Sequence, residues 1–179
     1  MENVITFAHN IIKEYITKES LTIDATVGNG YDTVFLAKHA KHVFGFDIQQ
    51  DALDNTLARC QKEQLDNVTL FLTSHEHIKD YLDQPIDACV FNLGYLPKGN
   101  KDITTKATST ITAINDVLPL ISVKGVITIT IYIGHEEGKQ EQKQLEEFFL
   151  SLDSSLYTVV RYQHINRPDA PYTVCIQKR

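Results

Sequence analysis

Asp24-Ala25-Thr26-Val27-Gly28-Asn29-Gly30 follows the short apolar run Leu21-Thr22-Ile23 and precedes Val34, Phe35, Leu36 and Ala37. Strand, glycine-containing loop and helix therefore fit within about 20 residues, the opening unit of a parallel α/β sheet. Gly28 and Gly30 have no Cβ, so the chain can turn tightly there and let a bulky ligand lie against its backbone. In such sheets ligands bind beyond the carboxyl ends of the strands, where a helix N-terminus faces them. Asp24 and Asp32 put carboxylates beside this loop and suit a ligand carrying an ammonium group. They would repel a pyrophosphate, and the Gly-x-Gly-x-x-Gly pattern of a dinucleotide turn is absent.

Outward from the loop the alternation repeats. Val4, Phe7, Ala8, Ile11, Ile12, Tyr15 and Ile16 recur at helical spacing ahead of it. Behind it the sequence predicts a strand from His42 to Phe46, a helix from Asp51 to Gln61, a strand from Val68 to Leu72, a short connecting helix and a strand from Ile86 to Phe91. A helix around Thr105 to Ile121 leads into Gly125 to Ile133, whose unbroken Val and Ile content predicts a central strand buried on both faces. After a helix from Glu136 to Leu152, the β-rich runs Tyr157 to His164 and Tyr172 to Gln177 follow one another closely and predict an antiparallel pair. Seven strands, mostly parallel with a C-terminal antiparallel hairpin and helices on both faces, resemble the Rossmann-like class I methyltransferases. No linker or repeat divides the 179 residues, so one domain over 1–179 is expected.

Composition removes several classes. With 42% hydrophobic and 22% charged residues the chain is neither disordered nor a disulfide scaffold. No apolar run approaches the ~20 residues of a spanning helix, and the start has no signal-peptide pattern, so a cytoplasmic protein without a membrane partner is expected. Cys60, Cys89 and Cys175 are widely spaced, without a Cys-x-x-Cys pair, and read as small apolar residues. The net charge of −6 does not advertise a polyanion binder. Lys98, Lys101 and Lys106, and again Arg161, Arg167, Lys178 and Arg179, are either scattered solubilising charge or an RNA-facing patch.

The chemistry-bearing residues sit where predicted strands end. Asp47, seventeen residues beyond Gly30, closes Phe44-Gly45-Phe46-Asp47 at the position from which a carboxylate grips ribose hydroxyls. Together with the loop it points to a nucleoside cofactor, although Asp24 alone could serve as a turn cap. Thr73-Ser74-His75-Glu76-His77 closes the third strand; it either contacts an adenine or caps the next helix. A metal at His75 and His77 is not expected, because no third ligand lies nearby. Asn92-Leu93-Gly94-Tyr95 after the fourth strand resembles the Asn-Pro-Pro-Tyr signature of methyltransferases acting on amino nitrogens, with Leu93 and Gly94 in place of the prolines. In that arrangement the Asn oxygen and a backbone carbonyl accept the substrate N–H groups and the aromatic ring packs on the substrate, so catalysis rests on alignment. Otherwise Asn92 only supports the cofactor and Tyr95 is a packed aromatic.

Taken together, Asp24 to Thr33, Gly45-Phe46-Asp47-Ile48-Gln49, Phe91 to Pro97 and Gly134-His135-Glu136-Glu137-Gly138 resemble a small bacterial family labelled rRNA methylases. The resemblance runs over nearly the whole chain. It implies S-adenosylmethionine as cofactor and methylation of 5-aminomethyl-(2-thio)uridine at the tRNA wobble position. Carried onto this sequence, it gives Asp24, Thr26, Gly28, Asn29, Gly30, Asp32, Thr33, Asp47, Ile48, Ser74, His75 and Asn92 to the cofactor. Asn92, Tyr95 and His135 go to catalysis, with His135 either taking a proton or fixing its loop. Leu93, Gly94, Tyr95, Lys98, Lys101, Arg161 and Arg167 go to the substrate, the anticodon loop of tRNA, for which a homodimer would extend the binding surface. Other substrates (rRNA, a protein amine, a small metabolite), a nonenzymatic RNA- or protein-binding module, and an NAD-dependent oxidoreductase are the competing readings.

Overall fold

A computed structural model describes residues 2–94, 106–132, 136–167 and 170–179, with the backbone alone for 136–141. Its first element, α1 (Val4–Tyr15), starts at Asn3, whose side-chain oxygen accepts a hydrogen bond from the Thr6 N–H at 2.9 Å. That satisfies one of the donors a helix start leaves unpaired. Val4, Ala8 and Ile12 form its buried stripe, and the chain then enters β1 (Leu21–Asp24). The units α2 (Tyr31–His39), β2 (His42–Asp47), α3 (Gln50–Lys62) and β3 (Val68–Leu72) follow in strict alternation. A 3₁₀ helix, His75–Asp80, leads to β4 (Ile86–Leu93), α4 (Ala107–Val117), β5 (Ile121–Ile131), α5 (Glu136–Ser151), β6 (Tyr157–Tyr162) and β7 (Tyr172–Lys178).

The described strands form one seven-stranded sheet in the order β3-β2-β1-β4-β5-β7-β6. Strands β1 to β5 pair in parallel, and β7 inserts antiparallel between β5 and β6. The chain winds outward from β1 through β2 to β3 and then returns to β4 on the other side of β1. The carboxyl ends of β1 and β4 thus flank the switch point where open α/β sheets bind ligands.

Two apolar layers cover the sheet. Ile12, Ile16, Leu36 and Ala37 of the α1 and α2 side pack on Val43, Ala88, Val90 and Val126. On the opposite face Ile78, Ile114, Val117, Leu145 and Phe149 pack on Ile23, Cys89, Ile127 and Ile129. Residues Gly125 to Ile131 are buried on both faces, as their composition predicts. The boundaries around them differ from the sequence expectation. Pro119 has no N–H to continue a helix, so α4 ends at Val117 and β5 starts at Ile121. The extra residues pair Ile121 with Ile86 ahead of a register irregularity, with Lys124 in the left-handed region (φ 70°). The expected strand end at Ile133 lies outside the described residues.

Candidate active site

The loop between β1 and α2 is built around glycines that cannot be replaced freely. Gly28 and Gly30 have φ of 52° and 75°, a region that costs a residue bearing Cβ. A Cβ on Gly30 would also lie 2.5 Å from Thr56 Oγ1 of α3. Asp47, at the end of β2, holds the loop in place: its Oδ2 accepts the Gly28 N–H at 2.9 Å while Oδ1 accepts the Gln49 N–H at 3.0 Å. A carboxylate offers about four lone-pair sites, so Asp47 keeps capacity for two ribose hydroxyls. Ile48 beside it is 55% exposed, an apolar side chain left bare at the carboxyl end of β2.

Asp24 is sealed beneath this loop, fully buried. Thr33 Oγ1 donates to its Oδ2 at 2.6 Å and the Thr26 N–H to its Oδ1 at 3.2 Å. Burial, and then the neighbouring Asp32, push its pKa up to about 7 against the opposing pull of those two bonds. Its charge therefore reaches a ligand through the field and not by contact. Thr26 and Thr33 are spent as braces: Thr26 Oγ1 also accepts the Asn92 N–H at 2.7 Å, tying the loop to the end of β4.

Asp32, in the first turn of α2, is less deeply buried than Asp24, with 13% of its side chain exposed. One oxygen accepts from Asn92 Nδ2 and the other from Nε2 of His9, an α1 residue that nothing in the local sequence singles out. Because a carboxylate only accepts, the Asn92 amide must present its nitrogen to Asp32. Its Oδ1 is buried and finds no hydrogen-bond partner among the described residues. Tyr132, just beyond β5, was not singled out either; it is 45% exposed and its ring comes 3.9 Å from where a Gly94 Cβ would stand. Burial and Asp32 raise its pKa. Position at the end of a central parallel strand was the one signal that could have found it.

Of the remaining predicted residues, Ser74 caps the 3₁₀ helix through the Glu76 N–H at 3.4 Å. His75 is buried against Phe91, bonds the backbone of Ala25 and leaves Nε2 unpartnered among the described residues; burial lowers its pKa. Leu93 is buried as the last residue of β4 and Gly94 follows it with φ 157°. Asn29 offers its carbonyl to Arg59 Nε at 2.9 Å, and that guanidinium stacks 3.9 Å over the exposed Tyr31 ring. Arg161 lies level with Phe91 across β5 and β7, three strand spacings or roughly 14 Å from it. It is paired with Glu146 at 2.7 Å and leans on Tyr172, so its charge is partly neutralised. Arg167 is exposed. Tyr95, Lys98, Lys101 and His135 lie outside the described residues.

Known proteins with related sequences and folds include tRNA and rRNA methyltransferases by name. A chloroplastic tRNA (mnm(5)s(2)U34)-methyltransferase of Arabidopsis thaliana is 33% identical over 96% of this chain and 68% of its own length. A solved structure described as a "putative rRNA-methylase" from Clostridium thermocellum superposes with a TM-score of 0.97 at 37% identity, covering 100% of this chain and 99% of that one. A "putative methyltransferase" from Streptococcus mutans in complex with SAH gives 0.94, also at 37% identity, with the same coverage. Residues 43–178 match the family model described as "Putative rRNA methylase", and the chain belongs to that family.

Proposed function

We propose that the protein transfers a methyl group from S-adenosylmethionine to the primary amine of 5-aminomethyl-(2-thio)uridine at the wobble position of tRNA. The observation that carries this reading is the Asn92 Oδ1 atom: buried, unpartnered among the described residues, and fixed at the end of β4 beside the switch point. A buried acceptor left unsatisfied costs about 1–3 kcal/mol, so a site retains one where a ligand supplies the donor. The reading is supported by the tRNA methyltransferase relative and by the SAH-bound neighbour.

The cofactor fits the residues present. Asp47 faces the ribose, exposed Ile48 offers the adenine an apolar surface, and Asp24 and Asp32 surround the loop with negative charge that favours a sulfonium and an ammonium. When bound, S-adenosylmethionine supplies an electrophilic methyl: the amine lone pair forms the N–C bond, the C–S pair returns to sulfur, and the nitrogen's proton passes to water. Asn92 Oδ1 accepts an N–H of the amine and so turns the lone pair toward that methyl, a contribution of alignment. The wobble base stands in a single-stranded loop and can be splayed into the site, with Tyr95 and Tyr132 as aromatic surfaces. One domain carries the reaction. The setting on this reading is the cytoplasm, with the anticodon loop as partner and a paired second subunit widening the surface offered to it. Among the described residues no helix is long and apolar enough to cross a membrane.

The test is methylation of tRNA that carries the aminomethyl precursor against tRNA that lacks it and against rRNA, with nucleoside mass spectrometry of the product. Methylaminomethyl nucleoside from the first substrate alone is the expected outcome. Equal incorporation into all three, or into rRNA only, overturns the wobble assignment.

A further inference from the structure

The helix before the first strand contributes to the site. His9 on α1 lies flat against Phe35 of α2, ring centroids 3.8 Å apart and planes within 1° of parallel. The stack sets the imidazole plane, and Nε2 then meets Asp32 Oδ1 at 2.5 Å, with only 21% of the His9 side chain and 13% of Asp32 exposed. The other Asp32 oxygen takes the Asn92 amide. One carboxylate therefore joins a ring whose plane the stack sets to an amide that would otherwise have two orientations. Without the anchor at Oδ1, the Asp32 χ2 torsion, broad for a carboxylate, is free to swing. Asn92 could then turn over and aim its donor nitrogen where an acceptor is needed.

We propose that His9 is a positioning residue for methyl transfer: acting through Asp32, it fixes the Asn92 amide so that Oδ1 faces the acceptor amine. This rests on the role given to Asn92 above. His9 touches neither the amine nor the methyl group. Its effect is on the fraction of bound complexes in which the lone pair is aligned, so it acts on kcat and leaves the affinity for S-adenosylhomocysteine and the KM for tRNA nearly unchanged.

Two substitutions separate the stack from the hydrogen bond. His9→Phe keeps a ring on Phe35 and loses the donor; His9→Gln keeps an N–H at the Nε2 position and loses the aromatic stack. We expect His9→Phe to lower kcat roughly tenfold, the scale of a modest loss of alignment, and His9→Gln to recover most of it. Combined with Asn92→Ala, His9→Phe should add no further loss, because both act on one interaction. An independent readout needs no turnover: the Asn92 side-chain amide pair in a ¹⁵N-correlated NMR spectrum, identified by its disappearance in Asn92→Ala. It should shift in His9→Phe and return toward its original position in His9→Gln. Should His9→Phe not fold, His9→Ala takes its place in both measurements. A full-rate His9→Phe, an unmoved Asn92 amide, or additive losses in the double variant each overturn the role of His9. A full-rate Asn92→Ala instead overturns the reading of Asn92 itself and the proposal with it.

Discussion

Asp24 combines a full burial with a carboxylate neighbour, and the sign of the result is opposite to that of most folded-state acids. Its pKa stands near 7 in the folded chain against 3.8 for the free side chain, so the native state binds the extra proton between those values. Stability therefore falls as pH rises from about 4 through 7 and is level above. Three units correspond to about 4 kcal/mol as an upper bound, shared with Asp32 through their mutual repulsion. Asp24→Asn removes this titration while keeping the size of the side chain and an oxygen for the Thr26 N–H. In urea unfolding without cofactor, the variant should exceed the parent by a few kcal/mol at pH 8, with the gap closing toward pH 4. The same variant should bind S-adenosylmethionine more weakly at pH 8, because a buried negative charge that faces a cation is lost. A variant no more stable at pH 8 than its parent would mean that Asp24 is ionised and compensated in the resting fold.

At the scale of elements, the glycine loop carries the chain from β1 into α2, and Gly30 is where the backbone and α3 both object to a side chain. Gly30→Ala combines a left-handed φ with a collision at Thr56, so a loss of about 1–3 kcal/mol is expected. In a chain of this size each kcal/mol lowers Tm by about 2–4 °C, which differential scanning calorimetry resolves. Affinity for S-adenosylhomocysteine should fall in parallel, since the displaced loop also moves the Gly28 N–H away from Asp47. An unchanged Tm would show that α3 gives way freely. This loop, the alternation around it and the spacing to Asp47 were legible in the sequence because each is a local pattern: strand, glycines and helix within one short segment. His9 was not legible, because its partners Asp32 and Phe35 sit on the next helix and only the packing of α1 on α2 brings them together. The same holds for Arg161, which reads as a free cation until the fold sets Glu146 beside it. The early start of β5 was hidden by polar Ser122 and Lys124, which face solvent before the strand enters the core.

For the molecule as a whole, the question is how a chain with a net charge of −6 engages a polyanion. Repulsion at long range slows the encounter, and nonspecific affinity from many phosphate contacts is not available to it. On the function proposed above, recognition rests on the splayed base and a few cations. Arg161 is partly neutralised by Glu146, which leaves Arg167, Lys106 and Arg179 as exposed candidates among the described residues, with Lys98 and Lys101 as further ones in the sequence. Three or four phosphate contacts at roughly 0.7 per contact give a slope near −2 to −3 for the logarithm of tRNA affinity against the logarithm of salt concentration. Arg167→Ala should make that slope shallower by about 0.7, whereas Arg161→Ala should leave it within error. Binding of S-adenosylhomocysteine, measured alongside by calorimetry, should be the same in both variants. An equal change in slope for the two arginines would place the tRNA across the hairpin of β6 and β7, with the Glu146 pair opening to admit a phosphate; no change in either would confine the contacts to residues between β4 and α4 and to Arg179.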